Sequence, residues 1–115
     1  MEKKVILIAR ADLHIPQYLK NALTTMPDGE SFEILLANNT KDALEVIAES
    51  APVLVVSGLY HIDWKALTKA VGIEKMLIWS TETLPEVPEE MGKISPRERS
   101  PQNLMEIILQ KASRE

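Results

Sequence analysis

The chain has 115 residues, a formal net charge of −4, 45% hydrophobic and 26% charged residues. That is the size and balance of one globular domain, which at this length buries about two-thirds of its unfolded surface. The acidic balance argues against nonspecific nucleic-acid or anionic-membrane binding, and the absence of cysteine excludes disulfides, thiolate nucleophiles and zinc–thiolate sites.

The N-terminus, MEKKVILIAR, opens with charge, but its apolar run ends at Arg10. The run is too short for a secretory core or a membrane span, and Val5–Ile8 reads as a buried strand. Ile15, Leu19, Ala22, Leu23 and Met26 then share one helical face, with Pro16 in the first turn. Phe32–Ala37 is a second strand. Thr40 is the expected N-cap of a helix that turns Ala43, Leu44, Ile47 and Ala48 inward. After a third strand at Val53–Val56, Asp63 caps a helix with Trp64, Leu67, Ala70 and Val71 on its apolar face, stopped by Gly72.

Met76–Trp79 is the fourth strand. The stretch TETLPEVPEEM, with two prolines and four glutamates, reads as an acidic loop holding at most one helical turn. Met91–Ser95 is a fifth strand by position. A last helix follows, with Ser100 as cap, Pro101 at its first position, and Leu104, Ile107, Ile108 and Lys111 along it. Strands of continuous apolarity separated by helices imply a parallel sheet covered on both faces. The expected fold is a single α/β domain over residues 1–115. It has five parallel strands in the flavodoxin-like order 2-1-3-4-5, with the fourth helix short or replaced by the acidic loop.

These residues resemble a known family, the CheY-like receiver domains of response regulators. KVILIARAD is similar to the family's first strand, which normally ends in an acidic pair. ANNTKDALEVIAESAPVLVVSG resembles its second helix and third strand, MLIWST its fourth strand with a terminal hydroxyl residue, and GKISP its fifth strand, which normally ends in Lys-Pro.

The resemblance implies a site for Mg²⁺ and a phosphoryl group, and the sequence departs from it at each chemical position. Ala9 and Arg10 stand at the acidic pair, Gly58 (or Ser57, one residue earlier) at the phosphoacceptor, and Ser95 at the lysine. Only Ser80, at the switch hydroxyl, is kept. Mg²⁺ requires oxygen ligands, and one hydroxyl can neither hold it nor transfer phosphate. The expectation is a degenerate receiver with no phosphoacceptor.

Other constellations carry weaker signals. Asp12 is either a remnant of an acidic pocket or a capping aspartate, and it could pair with Arg10 across the mouth of the sheet. His14 and His61 with Asp12 and Asp63 could form a metal site, but their spacing matches no ligand motif, and surface histidines are the plainer reading. Ser57, Ser80 and His61 evoke a hydrolase, yet VVSGLY lacks the first glycine of a nucleophile elbow.

Tyr60, His61 and Trp64, in GLYHIDW, are candidate interface anchors near the crevice, although for Trp64 packing into the core is the plainer reading. Glu82, Glu86, Glu89 and Glu90 face the basic Lys93, Arg97 and Arg99. Solvated charge is the default for both groups, and the resemblance places them on a side that receivers use for partner contacts.

By elimination the expected role is a phosphorylation-independent protein-interaction module of a cytoplasmic signalling pathway, a pseudo-receiver. It would be no enzyme and would need no cofactor or metal; its partner would be a kinase, an output protein or a second copy. The rival is a small-ligand or anion binder, or an enzyme, in which Arg10, Asp12, His14, Ser57, His61 and Ser80 converge at the carboxyl ends of the strands. The polar C-terminus, QKASRE, gives no sign of a linker, and a piece of a larger regulator remains the third option.

Overall fold

In the computed structural model the described residues are 4–11, 17, 20–21, 32–58, 61–79, 93–94, 106 and 108–111. The continuous apolar runs form parallel strands β1 (Lys4–Ala9), β2 (Phe32–Ala37), β3 (Leu54–Ser57) and β4 (Met76–Trp79). A two-residue β5 (Lys93–Ile94) extends the sheet beyond β4, giving the order β2-β1-β3-β4-β5.

Three strands differ from the sequence reading, β1 by running one residue further at each end than Val5–Ile8. Within the anticipated run Met91–Ser95, Lys93 and Ile94 are strand, and the other three residues lie outside the described ones. Strand β3 starts and ends one residue later than Val53–Val56. Ser57 still pairs opposite Ala9, whereas Val53 only donates its N–H to the Val5 carbonyl, at 2.9 Å.

Alternation along the strands divides the core in two. Ile6, Ile8, Phe32, Ile34, Leu54, Val56, Leu77 and Trp79 form one cluster, closed by Ile108 and Leu109 from the helical residues 108–111. On the other face Leu7, Ala9, Val55, Met76 and Ile78 pack against α1 (Thr40–Ser50) and α2 (Trp64–Val71), through Ala43 and Leu67. Helical layers therefore cover both faces, and burial of all four β3 residues follows.

The helix ends are set by short polar side chains. Asn39, not Thr40, is the N-cap of α1: its backbone is extended and its Oδ1 accepts from the Asp42 N–H at 2.8 Å. Thr40 is already helical, so its hydroxyl is free for another task and accepts from the Asp63 N–H at 2.9 Å. Asp63 caps α2, its Oδ1 accepting from the Ala66 N–H at 3.2 Å, and Gly72 ends it with a φ of 94°. The inward faces also need correction. Ala48 is exposed because it lies about 140° around the helix from the buried Ala43, and Val46 packs inward instead. Ala70 is exposed too, since Val71 and Ile73 make the contact at that end of α2.

Two outcomes follow for stability. Leu67→Ala removes a fully buried side chain and is expected to cost about 2–5 kcal/mol in urea unfolding. Ala51 closes α1 in the left-handed region, at φ 46°, where a Cβ is unfavourable. Ala51→Gly is expected to raise unfolding free energy by about 0.5–1 kcal/mol; a loss of stability would refute the strain at that residue.

Candidate functional site

Parallel strands bring their carboxyl ends to one edge of the sheet, where open α/β folds place their ligands. Here Arg10 follows β1, Asn38 follows β2, Gly58 follows β3, and Trp79 closes β4. The registers pair Ile8 with Val56 and Val56 with Leu77. Two residues further along each strand, on the same face, come Arg10, Gly58 and Trp79. The ladder reaches into this row: Arg10 N–H donates to the Ala37 carbonyl at 3.0 Å, and Gly58 N–H to the Ala9 carbonyl at 2.9 Å.

Two strand spacings, about 9.6 Å, separate the backbones of Arg10 and Trp79. An arginine bridges that gap only if nothing stands on the strand between. Gly58 leaves the way clear. Its φ is not positive, so the backbone alone does not demand glycine; a Cβ there would lie 3.4 Å from Arg10 Cγ. The Arg10 side chain passes over Gly58 and brings its guanidinium carbon 4.9 Å from the centroid of the Trp79 ring. Such a stack contributes about 0.5–2 kcal/mol, more as it is desolvated. Among the described residues it is the side-chain partner of Arg10; Asp12, the anticipated partner, lies outside them.

The other sequence candidates are distributed around this row. Ala9 is buried between Ala37 and Ser57. Ser57 is fully buried and its Oγ–H donates to the Gly58 carbonyl at 2.8 Å. That bond satisfies a hydroxyl sealed from water and leaves it poorly placed for nucleophilic attack. His61 is exposed with a φ of 64°, a conformation that histidine adopts more readily than most residues. Trp64 is half-buried and packs on the α1–α2 side of the core, with Lys65 Nζ 5.6 Å from its ring centroid.

Lys93 pairs with Ile78 through its backbone. Asp12, His14, Tyr60, Ser80, Glu82, Glu86, Glu89, Glu90, Ser95, Arg97 and Arg99 lie outside the described residues. Among the described residues no three His, Cys, Asp or Glu gather as a metal would require, and no helix is long and apolar enough to cross a membrane.

Trp79 was not among the sequence candidates. A fully apolar strand made it look like core, and it is 2% exposed. Its indole Nε1 is nevertheless buried without an acceptor among the described residues. The signal that would have found it is cross-strand counting, which aligns Arg10, Gly58 and Trp79 once the strand order is known.

No family model matches the chain, and no curated protein matches it. Solved structures do. A CheY-like response regulator receiver domain protein from Methanospirillum hungatei JF-1 is 20% identical with a TM-score of 0.76, over 98% of this chain and 96% of that one. The chemotaxis response regulator CheY4 of Vibrio cholerae is 18% identical with a TM-score of 0.72, over 96% and 99%. HP1043, an orphan response regulator of H. pylori, is 13% identical with a TM-score of 0.73, over 95% and 96%. At such identities the likeness is one of fold, and the chain has the α/β fold of CheY-like receiver domains, built on a parallel sheet.

Proposed function

We propose that the chain is a pseudo-receiver, a module that binds another protein in a cytoplasmic signalling pathway without being phosphorylated. The row Arg10–Gly58–Trp79 carries this reading. The receiver resemblance assigns metal-binding carboxylates to Ala9 and Arg10 and the phosphoacceptor to Gly58. Ala9 is buried with a methyl group for a side chain, and Arg10 lays a positive charge across Gly58. At about 4 Å that charge would repel a divalent cation by about 2 kcal/mol in water, and several-fold more in a partly buried crevice. Mg²⁺ also needs oxygen ligands, and the row offers no carboxylate.

A binding role is what the receiver fold retains once the transfer chemistry is removed. The partner would be a kinase or an output protein of the pathway, or a second copy of the chain. Tyr60, His61 and Trp64 are the proposed contacts at the crevice, and Glu82, Glu86, Lys93, Arg97 and Arg99 those on the side that the receiver resemblance assigns to the fourth helix, fifth strand and fifth helix. Support for the first group comes from His61, which is exposed two residues before an Asp63 tied to Thr40.

Incubation with labelled acetyl phosphate and Mg²⁺ is expected to leave the wild-type protein unlabelled. Gly58→Asp alone is expected to stay unlabelled too, because Arg10 neutralises the new carboxylate and no acidic pair holds the metal. Stable, Mg²⁺-dependent labelling of the wild type would sink the proposal. For the interface, a pull-down should enrich a protein that the Tyr60→Ala/His61→Asn variant loses, asparagine being chosen because it tolerates the left-handed backbone. Equal enrichment by both would move the interface to the charged side.

A further inference from the structure

We propose that the carboxyl end of the sheet binds a small oxyanion, a phosphate or carboxylate group, gripped by the Arg10 guanidinium and hydrogen-bonded by the Trp79 indole N–H. Two independent observations converge on it. The first is the manner in which Arg10 is held. Its guanidinium carbon lies over the Trp79 ring, 4.9 Å from the centroid, a contact that uses the charge and no hydrogen-bond acceptor. The five N–H donors around its edge stay unspent, and no described carboxylate takes them up. Arg10 is half-buried, so the residue is partly open to solvent.

The second observation is the indole itself. Trp79 is 98% buried, and its Nε1 has no acceptor among the described residues. An indole nitrogen is a donor only, and a buried donor left without an acceptor is a standing cost that native structures seldom carry without reason. An oxygen that arrives with its own negative charge satisfies both groups at once. A neutral carbonyl would serve the indole but leave the guanidinium uncompensated.

The geometry is consistent with entry from the crevice. Arg10 rests on the ring like a cover, and Gly58 beneath its stem has no side chain to hold it in place. In the proposal the ligand enters beside the Arg10 side chain, which supplies its counter-charge. Bidentate pairing of the arginine edge with two oxygens suits phosphate and carboxylate alike. The site is noncovalent and rests on the row itself, so it stands or falls separately from the absence of phosphorylation.

The test uses the full chain with Trp64→Phe, which leaves Trp79 as the only tryptophan. Inorganic phosphate and acetate are titrated separately at constant ionic strength, with chloride as the balancing salt. A saturable change in Trp79 emission, with a parallel rise in melting temperature, is expected from at least one of them. Phosphate alone would identify a tetrahedral ligand, acetate alone a planar carboxylate, and both the general oxyanion site. Arg10→Gln should weaken binding at least tenfold, and Arg10→Lys less. In a Trp64-containing chain, Trp79→Phe keeps an aromatic ring, smaller than the indole, but lacks the N–H, and should weaken the thermal shift while remaining folded by circular dichroism. No saturable response to either anion into the tens of millimolar, an equal response to chloride, or undiminished binding by Arg10→Gln overturns the proposal.

Discussion

Pairing of β1 with β3 is the constraint on which the rest depends. Ile6 through Ala9 are fully buried in the interior of the sheet, with β2 on one side and β3 on the other. Because side chains alternate, a slip of one residue would exchange the Ile6/Ile8 set with the Leu7/Ala9 set. Each set is fitted to a different helical layer, and a buried large aliphatic side chain is worth about 1.5–3 kcal/mol, so the register has no close competitor. Arg10 inherits its direction from this register. Shifted by one, it would point at the α1–α2 face, away from Gly58 and Trp79.

The described charge at the end of the row is positive. A chain with net charge −4 places at the mouth of its sheet a guanidinium with no described acid beside it. Local arrangement thus overrides composition, as it can wherever a single charge is partly withdrawn from water. The same glycine that removes a side chain from the centre of the row is what lets the positive charge reach the aromatic ring. Loss of one chemistry and gain of another contact have a single steric origin.

Much of the fold was legible because burial on both faces forces continuous apolar sequence. Phe32–Ala37 and Met76–Trp79 coincide with β2 and β4, and Asp63 and Gly72 bound α2 because capping is a local event. The errors were those of one residue or of a helix's rotation. Asn39 and Thr40 are adjacent and both able to cap, and only the Asp63 amide, remote in sequence, shows which task each performs. The inwardness of Ala48 depended on how α1 rolls on the sheet, which its own small side chain does little to determine. The row Arg10–Gly58–Trp79 was least legible. It depends on three strands brought together across the chain, and no short window contains it.

The bond between the Asp63 N–H and Thr40 Oγ1 joins the starts of two helices that are 23 residues apart in sequence. Each helix is otherwise anchored by its own cap, Asn39 or Asp63. The connection ties the two helix starts to each other, so a displacement of either one is felt by the other. Part of the conformational entropy of placing Asn39, Thr40 and Asp63 was therefore lost on folding rather than on contact.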